Sequence, residues 1–231
     1  MLPIKDDIPT KRTPIVTIAL IVINCLVFLF ELAQGNRGFM EFTYAWGLIP
    51  VELTTGVELT PHASVSSVVN LFTSMFMHGG FLHLGGNMLY LWIFGNNIED
   101  RLGRVKFVFF YLASGIVASL AFIATDPQGD IPLVGASGAI AGILGAYLVS
   151  YPRARVVTVL FIFYFIRIAR IPALFVLGFW FILQVFNGLP ALGSSGGGGV
   201  AWFAHIGGFL FGLVVFKFFV KKASSIYLAV R

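Results

Sequence analysis

Charged side chains are scarce in this sequence: they make up 11% of its 231 residues, against about 25% in an ordinary soluble domain. With 58% of the chain hydrophobic and a mean hydropathy of +0.92, a water-soluble fold of this size has too little interior to bury the remainder. Lipid is therefore the solvent for most of it. Cysteine is nearly absent as well, and the one thiol, Cys25, lies inside an apolar run, which excludes an intrachain disulfide. Residues 1–14 lack an Arg/Ser-rich amphipathic transit pattern, and no small-residue cleavage site follows the first apolar run, so that run reads as a retained span. Internal repeats of the transporter kind are missing, which argues against a transporter or channel. The formal charge of +5 is not the footprint of a nucleic-acid binder, because Lys and Arg sit in short clusters between apolar runs, as in cytoplasmic membrane loops.

A spanning helix needs about 20 mostly apolar residues. Runs at 14–33, 83–97, 105–125, 137–151, 171–187 and 200–220 predict an all-α polytopic membrane protein of six helices, a single membrane domain over 1–231. Residues 34–70, with Trp46, Pro50 and Pro61, read as a partly structured loop at the membrane surface. Arg167 and Arg170 interrupt the apolar stretch before Pro172 restarts it, which assigns 156–166 to an interfacial or re-entrant segment. With the N-terminus inside, the inner segments hold Lys5, Lys11, Arg12, Arg101, Arg104, Lys106, Arg153, Arg155, Arg167, Arg170, Lys217, Lys221, Lys222 and Arg231. The outer loops then hold only Arg37, beside Glu41, Glu52, Glu58, Asp126 and Asp130. This asymmetry follows the positive-inside rule and puts both termini in the cytoplasm.

Polar groups inside such spans are functional candidates by default. Ser137 sits between glycines in Gly135-Ala136-Ser137-Gly138, where a loop turns into the fourth span. Glycine lets the backbone turn tightly, and a helix N-terminus leaves N–H groups free for a developing oxyanion. A plain helix N-cap is the competing reading of this serine. His205 begins the sixth span and shares one helical face with Gly208 and Gly212 at i, i+3 and i+7. The fourth span offers a matching face of Gly138, Ala141, Gly142 and Gly145, so the two helices can come into near contact. That packing carries Ser137 and His205 toward each other at one depth. A histidine satisfied by a backbone carbonyl is the alternative. His83 and Asn87, spaced i, i+4, project two hydrogen-bond donors from one face of the second span, and His78 is either their supporting partner or a surface residue. No acidic or cysteine ligand accompanies these histidines within the spans, which argues against a metal centre.

The segments His78-Gly-Gly-Phe-Leu-His83-Leu-Gly-Gly-Asn87, Gly-Ala-Ser137-Gly, and Ala-His205-Ile-Gly-Gly208-Phe-Leu-Phe-Gly212 together resemble the three signature segments of rhomboid intramembrane serine proteases. They stand in the family's order on the second, fourth and sixth spans, and the likeness runs from Pro14 to about Val220, including Glu99-Asp-Arg-Leu-Gly103. The resemblance implies a six-helix rhomboid-like bundle. It makes Ser137 the nucleophile, His205 its general base, and His83, Asn87 and the Ser137 N–H the oxyanion donors, with no aspartate, cofactor or metal. It departs in one place: some members carry an aromatic ring four residues after the serine, packed on the base, where this chain has Ala141. What orients His205 is thereby left open. The implied partners are transmembrane segments of other proteins, cut near the outer face after local unwinding, with small residues favoured before the cut. Phe179, Trp180 and Phe181 read as a lateral gate or a lipid-facing belt, and the glycine run 196–199 as a cap over the site or a plain connection. The expected location is a prokaryotic plasma membrane.

Overall fold

The computed structural model describes residues 1–57, 59, 66–162, 164–191 and 200–220; Glu58, Pro61, Lys221, Lys222, Arg231 and the glycine run 196–199 lie outside the described residues. The chain opens with strand β1, Leu2–Asp6, and then forms α1, Ile15–Ala33, behind Pro14. Three short helices follow: α2, Gly35–Trp46; α3, Pro50–Thr55; and α4, Ser67–Thr73, extended by a 3-10 turn over Ser74–Phe76. One helical run then comprises α5, Phe81–Tyr90, a π-helical segment Leu91–Gly95, and α6, Asn96–Leu102. Gly103, at φ +75°, ends it in the left-handed region and lets α7, Arg104–Thr125, start at once. Helix α8, Ser137–Ser150, leads to strands β2, Arg155–Ile162, and β3, Phe165–Pro172. Helices α9, Ala173–Gly188, and α10, Trp202–Phe219, complete the bundle.

This is a mostly helical membrane protein, and α1, α7 and α10 are long and apolar enough to cross a bilayer on length and composition. Helices α8 and α9 are apolar but shorter, at 14 and 16 residues. At 1.5 Å per residue α8 covers about 21 Å, less than the ~30 Å of a hydrocarbon core.

The all-α expectation is corrected by a three-stranded sheet of order β1-β2-β3. The stretch expected to be interfacial or re-entrant is built on β2 and β3, an antiparallel pair in which Arg155 pairs with Pro172 and Ile162 with Phe165, and β1 adds its Leu2 opposite Val159. The cause is composition: Val156, Val157, Thr158 and Val159 are β-branched and fit a pleated, half-buried surface better than a helix.

Two carboxylates fasten the end of the bundle where α1 begins. Glu99 of α6 accepts from the backbone N–H of Val16 (3.0 Å) and Thr17 (2.7 Å) and from Thr17 Oγ1 (2.8 Å), which satisfies orphan donors at the start of α1. Asp6 of β1 is buried and accepts from Asn97 Nδ2 at 2.7 Å and Tyr147 Oη at 2.6 Å, tying the sheet to α6 and α8. Burial raises its pKa above the usual aspartate value.

Candidate active site

The turn into α8 is braced from outside. Leu48 and Leu133 exchange backbone hydrogen bonds of 3.1 and 2.8 Å, and Gly135 N–H donates to Ser74 O at 2.8 Å. Gly135 has φ +128°, a conformation L side chains rarely adopt. A Cβ there would stand 2.7 Å from His83 Nε2 and 3.6 Å from Ser137 Oγ, so glycine also keeps open the space those two atoms share. Ser137 is the first residue of α8. The N-cap is Ala136, with no side-chain capping bond, so the N-cap reading of Ser137 does not apply. Its Oγ lies instead 2.8 Å from His205 Nε2.

That short distance follows from how α8 and α10 meet. A Cβ on Gly208 would run into the carbonyl of Gly138, one on Gly212 into that of Gly142, and one on Gly145 into that of Phe209. The two helices touch at backbone level, as the paired small-residue faces lead one to expect. Ala141 is buried in the same seam, 3.3 Å from the position of a Gly208 Cβ, which leaves no room there for an aromatic ring.

The ring on His205 comes from elsewhere. Trp180 of α9 lies against the imidazole with centroids 5.7 Å apart and planes 37° apart, and Trp202 meets it edge-on at 6.4 Å. The other imidazole nitrogen, Nδ1, is 2.8 Å from Gln184 Oε1. Gln184 Nε2 donates to Trp180 O at 3.1 Å, so its oxygen is the atom left facing His205. An oxygen there can only accept, which assigns the proton to His205 Nδ1 and leaves Nε2 to accept from the serine hydroxyl. Gln184 is buried, and sequence reasoning missed it. The available signal was a lone amide in an apolar span. The trio Phe179, Trp180 and Phe181 divides: Phe181 stacks on Phe209 at 4.6 Å, and of the three only Phe179 is exposed.

Across the shared space stand the α5 side chains. His83 Nδ1 accepts from Gly79 N–H at 3.3 Å, so in the neutral ring the proton sits on Nε2, toward Gly135 and Ser137. Asn87 is buried, and its Nδ2 has no partner among the described residues. His78 is not a surface residue. It is buried edge-to-face on His83 at 5.0 Å, neither ring nitrogen has a partner among the described residues, and its backbone N–H donates to Glu31 Oε2 at 3.4 Å. Burial first, and the nearby His83 second, lower its pKa to about 3, so the ring is neutral. Glu31, a buried acid at the end of α1, also escaped the sequence reading. Among the described residues no group of three or more His, Cys, Asp or Glu side chains converges as a metal site would. Beside Ser137 a cavity is lined by Met75, Gly115, Ala118, Ser119, Gly138 and Ala204, mostly small residues.

This arrangement sets a hydroxyl against an oriented neutral imidazole, with a histidine N–H and an unpartnered amide across a gap, which is equipment for nucleophilic acyl transfer. Comparison with known proteins points the same way. The family model described as "Rhomboid domain" matches residues 65–222. The chain is 32% identical over 164 residues to the mitochondrial rhomboid protein 1 of Saccharomyces cerevisiae, covering 69% of this chain and 44% of that protein. It is 40% identical over 78 residues to the putative rhomboid protease YdcA of Bacillus subtilis (34% of this chain, 39% of that one). To rhomboid protease GluP of the same organism it is 44% identical over 78 residues (34% and 15%). The chain thus spans less than half the length of each of these relatives. They include mitochondrial and bacterial proteins, and so do not support the expected prokaryotic plasma membrane over a mitochondrial one.

Proposed function

The chain belongs to the rhomboid family, and on that premise we propose that it is an intramembrane serine endopeptidase that cuts transmembrane segments of other membrane proteins near the outer face of the bilayer. The observation that carries the reading is the 2.8 Å contact between Ser137 Oγ and His205 Nε2. His205 takes the hydroxyl proton as Ser137 attacks the scissile carbonyl, and later returns it to the leaving amine. The oxyanion is held by the Ser137 N–H, His83 Nε2–H and Asn87 Nδ2, and water hydrolyses the acyl-enzyme. Gln184 is a positioning residue: its carbonyl oxygen holds the productive tautomer of His205 without placing a charge in lipid, where a carboxylate would be costly. The small-residue cavity beside Ser137 favours a small side chain before the cut.

In this reading the whole of 1–231 is one rhomboid-like domain with six spans: α1, the continuous α5–α6 run, α7, α8, α9 and α10. The shortness of α8 supports a nucleophile that starts below the outer surface, at a depth water can reach. Charge asymmetry supports cytoplasmic termini.

Labelling of the detergent-purified protein with a fluorophosphonate probe tests the proposal. Wild type should label, and both Ser137→Ala and His205→Ala should lose the label. If folded wild type neither labels nor cleaves a model transmembrane substrate, the protease reading fails.

A further inference from the structure

Strands β2 and β3 leave the bundle where α8 ends and α9 begins, on the face that the charge asymmetry assigns to the cytoplasm. The inner face of the sheet is used up near its base: Val156 and Thr158 are fully buried, and Asp6 is bonded to Tyr147 and Asn97. Beyond Thr158 the hairpin outruns its cover. Phe161, Tyr164, Phe165, Ile166 and Ile168 are 63–99% exposed, so the described residues of the tip are bare on both faces. Residues 160–166 are an unbroken run of apolar and aromatic side chains.

The register sorts the outer face into rows. Nearest the bundle, Lys5, Val157 and Arg170 lie side by side; next come Leu2, Val159 and Ile168; then Phe161 with Ile166. The hairpin therefore grades from a basic base to an apolar tip, with exposed Arg167 on the other face. Acid is scarce in this region, with the exposed Asp7 at its base beside Arg155. No Asp or Glu occurs after Asp130, Asp6 is buried, and Asp7 Oδ1 accepts from Arg155 N–H at 2.8 Å. Among the described residues neither Arg167 nor Arg170 has an acidic partner. A second copy paired along β3 would bring these guanidinium groups against one another, which disfavours self-association. An anionic lipid surface matches both the charge and the apolar tip, and long basic side chains can reach headgroups from just below them.

We propose that this hairpin is a lipid anchor, its tip seated at the acyl–headgroup boundary of the adjacent leaflet and its basic residues Lys5, Arg155, Arg167 and Arg170 on anionic phospholipid headgroups. This stands independently of the chemistry at Ser137. The test replaces Cys25 with Ala, installs Tyr164→Cys at a position 99% exposed, and attaches an environment-sensitive nitrobenzoxadiazole dye. The protein is reconstituted into phosphatidylcholine vesicles with or without phosphatidylglycerol. Expected are blue-shifted emission and shielding from aqueous iodide, both stronger with phosphatidylglycerol, and loss of that increment in Arg167→Glu/Arg170→Glu. Water-like emission with full iodide access in both vesicles overturns the proposal. So does shielding that follows the protein-to-lipid ratio and ignores lipid charge, which assigns the tip to a second copy. Thermal unfolding of the cysteine-retaining protein is the second measurement: phosphatidylglycerol should raise the midpoint of wild type and not of the double variant, and an equal rise in both counts against the anchor.

Discussion

On one side of His205, α10 meets α8 through glycine, with Gly208 and Gly212 against the carbonyls of Gly138 and Gly142. On the other side, α9 reaches the same imidazole through the long side chains of Trp180 and Gln184, while His83 and His78 close the gap from α5 and the loop before it. Contact on the first side is between backbones, so the Ser137–His205 distance follows from helix separation and has few soft torsions. Contact on the second runs through rotatable side chains. Two requirements of a serine–histidine pair are thus met by different means: reach by main chain, tautomer and tilt by side chain.

The largest effect should come from pushing the backbones apart. Gly212→Ala sets a methyl group against the Gly142 carbonyl, and overpacking of this kind costs about 1–3 kcal/mol. Displacing the base by about 1 Å should lower cleavage of a model transmembrane substrate by about 10²-fold. Gly178→Ala, in α9, adds a methyl with no protein atom within 4 Å and should leave the rate unchanged, with an unfolding midpoint equal to or slightly above wild type. Full activity in Gly212→Ala would mean that backbone contact does not set the distance.

A smaller effect is expected on the side-chain side. Gln184→Leu removes the acceptor for Nδ1–H, a hydrogen bond worth about 1 kcal/mol or somewhat more, so kcat should fall about tenfold. KM and the unfolding midpoint should change little, and Gln184→Glu, which keeps an acceptor oxygen, should recover part of the rate but at a lowered unfolding midpoint, since a carboxyl group is costly there. Parallel loss of kcat, KM and stability would reduce Gln184 to a packing residue.

The same contrast marks what the sequence disclosed. Glycine spacing is periodic, so the α8–α10 seam and the approach of Ser137 to His205 were legible without coordinates. Gln184 was not, because a single amide among Phe, Trp and Leu breaks no period, and its partner is 21 residues away on another helix. The hairpin was hidden for two reasons. An unbroken apolar run carries no clear two-residue alternation, and Arg167 and Arg170 at i, i+3 suit a helix face as well as a strand. Its third strand comes from β1, far off in the chain, where no local pattern reveals a pairing. Glu31 and Glu99 show a related limit: each is a carboxylate at an apolar boundary, and only the fold tells that Glu99 caps α1 while Glu31 sits beneath His78.

The last and smallest difference concerns pH. The glycine seam has no titratable group, so acid should leave it alone, whereas the polar side contains His78, faced by the His83 ring from α5 and by Glu31 from α1. His78 has a folded pKa of about 3 against an ordinary 6.5. Between those values the unfolded chain binds a proton that the folded chain does not, so stability falls as pH drops through that window and is flat above it. Each unit of the window corresponds to about 1.4 kcal/mol at most, and water entering the loop would reduce that figure. Unfolding midpoints in detergent, taken from neutral pH to mild acid, should decline more steeply for wild type than for His78→Leu, because the substitution removes the proton uptake and leaves the other titrating groups in place. Equal slopes would show that the buried imidazole is already hydrated in the folded protein, and that the polar side of the site is softer than its geometry suggests.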